Sequence, residues 1–245
     1  MRNVKVFVLC AGEGKRLRPY TEHQPKCLVP YRGKPLLQYQ LDVFQQLHIT
    51  DITLIGGYRA EALPKNYPIV INPDYATTNM VYSLFCARSR MTEDADCIVS
   101  YGDILYHASV LQTLLEDPHP IGVVTDDHWK TYWSQRMGDP LQDAETFRWE
   151  ETTHRLLELG KKPTSLSDIQ GQYIGLVKIS ASEVIRFQQT YDAFVRVTPT
   201  YRTAYMTDLI QFCIDQKLPV FGVPIKGRWA EFDTVTDLTM ERDIV

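Results

Sequence analysis

An apolar run that leads straight into a glycine-rich turn constrains this chain more than any other feature. Val4-Lys5-Val6-Phe7-Val8-Leu9 reads as a buried strand, and Cys10-Ala11-Gly12-Glu13-Gly14-Lys15-Arg16-Leu17-Arg18-Pro19-Tyr20-Thr21 follows it without a gap. A strand buried on both faces belongs in a parallel sheet covered by helices, and such sheets bind ligands beyond the carboxyl ends of their strands. Two glycines two residues apart let the backbone approach a phosphate chain and aim its N–H groups at it. Gln24-Pro25-Lys26-Cys27-Leu28 comes soon after. Arg16 and Lys26 then supply the fixed positive charge required by a triphosphate and by the transition state of attack on it. Spacing excludes two better-known phosphate loops. A Walker loop needs Ser or Thr after its lysine, and Lys15 is followed by Arg16. A dinucleotide fingerprint needs a third glycine where Leu17 stands.

The rest of the first half repeats the alternation. Strands are expected at Val4–Leu9, Ile52–Ile55, Ile69–Ile71, Ile98–Tyr101 and Ile121–Val124, with helical patterns near Leu36–Leu47, Met80–Arg90 and Ser109–Leu115. This predicts an α/β fold: a Rossmann-like, mostly parallel central sheet flanked by helices. Further on, Thr146–Glu151 and Leu156–Leu159 read as a hairpin beside the main sheet. A strand at Tyr173–Ile179, a helix from about Ser182, a helix at about Met206–Gln216 capped by Thr207 or Asp208, a strand at Val220–Val223 and a last helix from Val235 complete the pattern. With no repeat and no linker, one domain spanning 1–245 is expected. Its nucleotide-binding half is 1–124 and its acceptor-binding half 125–245, the latter carrying a small hairpin and loop elaboration.

Composition excludes several classes. At 245 residues, 44% hydrophobic and 23% charged, the chain is an ordinary globular size and mix. A net charge of −4 argues against nucleic acid as a partner, whereas a nucleotide needs only a few local cations. No stretch approaches the ~20 apolar residues of a membrane span. Five scattered cysteines (Cys10, Cys27, Cys86, Cys97 and Cys213), set mostly in apolar runs, suit a reducing, cytoplasmic compartment.

Two carboxylate-bearing segments are candidates for cation chemistry. Ser100-Tyr101-Gly102-Asp103 closes a predicted strand. An aspartate there either holds a hard cation at the ligand rim or caps the next helix. In Trp229-Ala230-Glu231-Phe232-Asp233-Thr234-Val235-Thr236-Asp237, alternation puts Glu231 and Asp233 on one face, opposite Phe232, and Asp237 reads as a helix cap. Aromatics crowd Trp129-Lys130-Thr131-Tyr132-Trp133, with Asp139, Asp143 and Glu145 nearby. They form either a face for an alkylammonium group, worth ~1–2 kcal/mol when desolvated, or a small core of their own.

The N-terminal stretch resembles the signature of the nucleotidyltransferases that make activated sugars and amino alcohols, L-x-A-G-x-G-x-R-L-x-P-x-T followed by P-K-x-L. Leu9, Ala11, Gly12, Gly14, Arg16, Leu17, Pro19, Thr21, Pro25, Lys26 and Leu28 match its fixed positions. The resemblance implies the nucleotide-diphospho-sugar transferase type of fold, with Arg16 and Lys26 catalytic and Leu9, Ala11, Gly12, Gly14 and Gly102 at the nucleotide. It also implies a Mg2+ ion held by Asp103 and by Glu231 and Asp233 together. Leu159-Gly160-Lys161-Lys162-Pro163 is similar to the family's E-K-P segment, which places the acceptor phosphate on Lys162. The run N-x-x-Y-S-L at Asn79–Leu84 is similar to the cytidylyltransferases for choline phosphate and aminoethylphosphonate. Asn79 and Ser83 are then candidates for reading cytosine, or else belong to a helix start that Asn79 caps with Tyr82 as core. Tyr82, Trp133 and Tyr173 complete the expected acceptor side.

These readings converge on a Mg2+-dependent cytidylyltransferase that joins CTP to a small phosphorylated or phosphonylated, amine-bearing acceptor. The competing expectations are a sugar-1-phosphate nucleotidyltransferase using UTP, dTTP or GTP, and an inactive nucleotide-sensing subunit. The first lacks the glycine-rich base segment here. The second has no need to keep Arg16, Lys26 and Asp103, all of which are present.

Overall fold

The computed structural model describes residues 3–131, 133, 141 and 144–240. The strands, in chain order, are β1 (Val4–Cys10), β2 (Pro30–Tyr31), β3 (Lys34–Pro35), β4 (Asp51–Gly56), β5 (Ile69–Ile71), β6 (Asp96–Tyr101) and β7 (Ile104–Tyr106). They continue with β8 (Ile121–Asp126), β9 (Phe147–Trp149), β10 (Leu156–Leu159), β11 (Gln172–Ile179), β12 (Val220–Ile225) and β13 (Trp229–Glu231). Seven of them form one sheet in the order β12-β8-β11-β6-β1-β4-β5. β1 pairs in parallel with both β4 and β6, while β11 runs antiparallel between β6 and β8. The mostly parallel sheet is as the sequence predicts; the reversal of β11 is not, because local patterning carries no information on strand direction.

Alternation along β1 explains why it is apolar throughout. Val6, Val8 and Cys10 enter the core on one side of the sheet and Phe7 enters the core on the other. The first core is covered by helices α1 (Leu36–Gln46) and α3 (Ala108–Glu116), through Leu37, Leu41 and Phe44 and through Val110, Leu111 and Leu114. The second is covered by α2 (Met80–Cys86), α4 (Val184–Val197) and α5 (Met206–Asp215), through side chains such as Leu84, Phe187 and Leu209. Spacings of three and four residues give each helix its buried stripe. Helix α2 stops at Cys86 and the predicted length to Arg90 is completed by a 3-10 turn, Arg88–Arg90. Helix α5 is capped by Asp208, whose carboxylate accepts from the Tyr205 N–H at 2.7 Å.

A third, smaller core positions the functional residues. Leu17 from the glycine loop, Val29 and Tyr31 from the segment after Lys26, Leu105 of β7, Ala230 of β13 and Phe232 are buried together. The Tyr31 and Phe232 rings lie 4.7 Å apart. β7 and β13 pair with each other outside the main sheet, with Glu231 opposite Ile104. These three-residue strands are too short to read from sequence, yet they bring the chain's C-terminal carboxylates to the end of β6. Helix α6 (Val235–Thr239) follows directly.

Four cysteines are buried and Cys86 is half-buried. Among the described residues, no helix is long and apolar enough to cross a membrane.

Candidate active site

β1 and β6 are the neighbours at which strand order reverses. The chain runs from β1 to β4 and β5 on one side, then returns to β6 on the other. Parallel α/β sheets open a crevice at such a switch point, beyond the carboxyl ends of the strands. Here a cavity of about 130 Å3 lies there, lined on the sheet side by Leu9, Ala11, Gly12, Tyr101, Gly102 and Asp103. Thr78, Asn79 and Ser83 line its opposite side, with Tyr75 and Met80.

Glycine is required at Gly14 in the loop and at Gly102 at the end of β6. Gly14 has φ +64, and a Cβ there would stand 3.0 Å from the Lys26 side chain, so the loop can fold over that lysine only without one. Gly102 donates its N–H to the Leu9 carbonyl at 3.1 Å, and an added Cβ would sit 2.6 Å from the same oxygen. Gly102→Ala is therefore expected to push the ends of β1 and β6 apart at a cost of about 1–3 kcal/mol, read as a lower urea midpoint. An unchanged midpoint would show that the turn yields without cost. A Cβ on Gly12, by contrast, would meet no atom within 4 Å, because it would project into the cavity.

Opposite charges converge at the cavity's edge. The Lys26 ammonium lies 2.5 Å from Asp103 Oδ2 and 2.5 Å from Asp233 Oδ1, and the Arg16 guanidinium lies 3.1 Å from the same Asp233 oxygen. Burial works against the charge on Lys26, but the attraction of Asp103 and Asp233 outweighs it and holds the ammonium well above the usual lysine range. Burial likewise works to raise Asp233, and Lys26, followed by Arg16, overcomes it, so the carboxyl lies below its ordinary value. Asp237 anchors this segment as a buried cap: its Oδ2 accepts from the Asp233 N–H, the Thr234 N–H and the Thr234 hydroxyl at 2.8–3.0 Å.

The donor set suits a hard cation. Asp103 Oδ1 is buried and accepts no hydrogen bond, while its other oxygen faces Lys26. Carboxylate oxygens of this kind hold Mg2+ rather than a softer metal. The trio expected from sequence is only partly assembled, however. Among the described residues, no three acidic, histidine or cysteine side chains are gathered around one point for an ion. Asp103 and Asp233 meet at Lys26, while Glu231 sits on β13 beside the turn that carries Asp103.

The nucleotide-side residues are placed together, but with their polar atoms engaged. Asn79 caps α2, accepting from the Met80 N–H at 2.9 Å and donating to the Thr203 carbonyl at 3.3 Å. Ser83 accepts from Asn72 Nδ2 at 2.9 Å and donates to the Asn79 carbonyl. Asn72, fully buried at the end of β5, also donates to the Thr78 hydroxyl, and so shapes this wall of the cavity. Its signal in the sequence is a polar residue directly after an apolar strand, in Ile71-Asn72-Pro73-Asp74.

The expected acceptor residues are more dispersed. Tyr173 of β11 is buried with its ring edge-on to Tyr101, 5.7 Å away, and so packs behind a residue of the cavity wall without lining the cavity itself. Tyr82 does not line the cavity: its hydroxyl donates to Asp74 at 2.9 Å, and Arg202 lies 4.6 Å from its ring and 3.0 Å from the same carboxylate. Trp133 is buried in the core, 6.1 Å from Trp229, and not laid open as a binding face. Lys162 is exposed and donates to the Leu141 carbonyl at 2.6 Å. Glu145 is 3.4 Å from the Thr207 hydroxyl; Asp139 and Asp143 lie outside the described residues.

Comparison with known proteins agrees with this geometry. The model of the MobA-like NTP transferase domain matches residues 6–162. A CTP:phosphoglutamine cytidylyltransferase from Campylobacter jejuni is 36% identical over 253 aligned positions, covering 97% of this chain and 99% of that protein. A choline-phosphate cytidylyltransferase from Streptococcus pneumoniae is 39% identical over 102 residues, which is 38% of this chain and 44% of that one. Among solved structures, CTP:phosphocholine cytidylyltransferase from Streptococcus pneumoniae superposes with a TM-score of 0.74, covering 97% of this chain and 96% of the other at 22% identity, a likeness of fold. The glycine loop at the switch point, the full-length relative and the match over 6–162 lead to one conclusion: the chain belongs to the MobA-like NTP transferase domain family and is a nucleotidyltransferase.

Proposed function

We propose that this protein is a Mg2+-dependent cytidylyltransferase that transfers CMP from CTP to a small phosphorylated, amine-bearing acceptor and releases pyrophosphate. The convergence of Lys26 on Asp103 and Asp233 at the end of the glycine loop carries the reading. It is supported by the Campylobacter relative, which matches along its whole length and whose name specifies CTP and phosphoglutamine. A phosphorylated amino-acid derivative is accordingly the first acceptor to test, with phosphocholine, phosphoethanolamine and aminoethylphosphonate beside it.

An acceptor phosphate oxygen attacks the α-phosphorus in line, the bond to the β-phosphate oxygen breaks, and pyrophosphate leaves. A phosphate dianion is already a nucleophile at neutral pH, so the reaction needs no strong base and no covalent intermediate. Positioning and charge neutralisation are the protein's contribution. The backbone between Ala11 and Gly14 cradles the phosphates, and Lys26 and Arg16, held in place by their carboxylate partners, neutralise the charge that builds on them. Asp103 and Asp233, with Glu231 alongside, would hold the metal, which when bound would neutralise phosphate charge as a Lewis acid. The chain acts as one domain, with 1–124 at the nucleotide and 125–245 at the acceptor, in the reducing cytoplasm where CTP is made.

A pyrophosphate-release screen crossing the five common triphosphates with these acceptors tests the reading. CTP is expected to exceed ATP and GTP by at least about tenfold, equivalent to about 1.4 kcal/mol of discrimination. Equal turnover with UTP or dTTP and glucose 1-phosphate would overturn it in favour of sugar activation.

A further inference from the structure

Helix α1 carries one polar residue inside its apolar stripe. Leu36, Leu37, Leu41 and Phe44 are buried as expected, and Gln40 between them is buried as deeply, at 1% exposure. A primary amide has two N–H donors and one accepting oxygen, and burial is tolerable only when these are satisfied. Here each is used, and on one short stretch of chain. Gln40 Nε2 donates to the Tyr101 carbonyl at 2.8 Å and to the Ile104 carbonyl at 2.7 Å, while Oε1 accepts from the Ser100 hydroxyl at 2.9 Å. The Ser100 oxygen in turn lies 3.1 Å from the Tyr106 hydroxyl.

Tyr101 is the last residue of β6 and Ile104 the first of β7, so the two carbonyls bracket Gly102 and Asp103. Two more backbone groups of the turn are held by other segments. The Gly102 N–H goes to Leu9 at 3.1 Å, and the Asp103 carbonyl accepts from the Phe232 N–H at 3.0 Å. The turn is therefore fixed from three sides: by β1, by the segment that carries Asp233, and by one amide reaching through the core from α1. No part of Gln40 lines the cavity.

We propose that Gln40 is a positioning residue for the reaction, holding the Tyr101–Ile104 turn so that the Asp103 carboxylate meets Lys26 and the incoming cation at a fixed point. This rests on the reading of Asp103 as a metal-binding carboxylate. Partners that orient a ligand from behind commonly change metal affinity or activity by about 10–100-fold when removed.

The test is Gln40→Leu, which keeps the volume and removes the donors. The Mg2+ concentration for half-maximal rate is expected to rise by about tenfold and kcat to fall by a similar factor, with the acceptor KM within about twofold. Mn2+ binding in the presence of CTP, followed by electron paramagnetic resonance without turnover, is expected to weaken by about the same factor. Leu41→Ala, one residue along the same helix, serves as the control: it lowers the melting temperature without moving either metal readout. Ser100→Ala, which removes the donor to Gln40 Oε1, repeats the metal shift in smaller measure and serves if Gln40→Leu does not fold. A Gln40→Leu protein that melts earlier but binds Mn2+ as the wild type does would overturn the proposal. Asp103→Asn, run alongside, separates the two ideas. If it moves the metal readouts and neither Gln40→Leu nor Ser100→Ala does, only the role of Gln40 fails; if it moves none, the reading of Asp103 fails first.

Discussion

Replacing Lys26 with alanine is expected to lower kcat/KM by about a hundredfold or more, the loss that follows removal of one preorganised donor from a developing anion. The structure adds a second consequence. Lys26 is the shared counter-ion of Asp103 and Asp233, so its loss leaves the two carboxylates without the cation between them, while the more exposed Arg16 stays beside Asp233. The variant should melt earlier than the wild type, and Mg2+ should recover more of its melting temperature than it does for the wild type, since a cation can take the vacated place between the two acids. The pH range of this pairing follows from the directions of the shifts. Lys26 is raised, so its contribution is complete below about pH 10 and is lost as pH climbs through its raised value; Asp233 is lowered, so its contribution is complete above about pH 4 and is lost as pH falls through its depressed value. The pair is thus intact across the neutral range, where activity is measured. Steady-state kinetics with circular dichroism melts check both parts. Wild-type turnover in a folded Lys26→Ala protein would mean that the loop is structural.

The glycine loop and the carboxylate cluster differ in how far residue type alone reveals them. β1 and its glycine turn could be read because burial on both faces and φ > 0 each leave a local mark in residue type. Lys26 is marked by the N-terminal signature, Asp103 by its strand-end place after Gly102, and Asp233 by its alternation with Glu231 in the C-terminal segment. Their mutual contact has no such mark, because it depends on β7 and β13, whose three residues apiece give no periodicity to detect. The reversed β11 has another cause: its eight residues are patterned plainly as a strand, but local patterning carries no strand direction. Trp133 and Tyr82 have the composition of a cation-binding surface, but aromatic type does not distinguish a face turned to ligand from one turned to Trp229 or to Arg202. Gln40 is the opposite case. A glutamine at the centre of the stripe Leu36, Leu37, Leu41, Phe44 is a visible exception to the pattern, and such an exception in a buried face signals a polar network.

Removing the metal is the other large expected effect. EDTA should abolish turnover and Mg2+ restore it, because triphosphate chemistry on oxygen ligands calls for a hard cation. Within the protein the effect should concentrate on Asp103, whose Oδ1 is buried without a partner and whose turn is fixed on three sides. Asp103→Asn preserves the size of the side chain and one accepting oxygen but removes the charge, and is expected to raise the Mg2+ concentration for half-maximal rate by about 10–100-fold. Asp233→Asn should act in the same direction, and should in addition release Arg16 and Lys26, which both contact Asp233 Oδ1. Glu231→Gln discriminates between two arrangements of the site. Glu231 stands on β13 opposite Ile104, next to the Asp103 turn and beside the Asp233 carboxylate. If it joins the ion when CTP binds, its variant shifts the metal dependence as Asp233→Asn does; if it serves only to support Asp233, the shift is smaller and the melting temperature carries most of the change. Wild-type metal dependence in both Glu231→Gln and Asp233→Asn would remove the C-terminal segment from the metal site and leave Asp103 as its protein ligand.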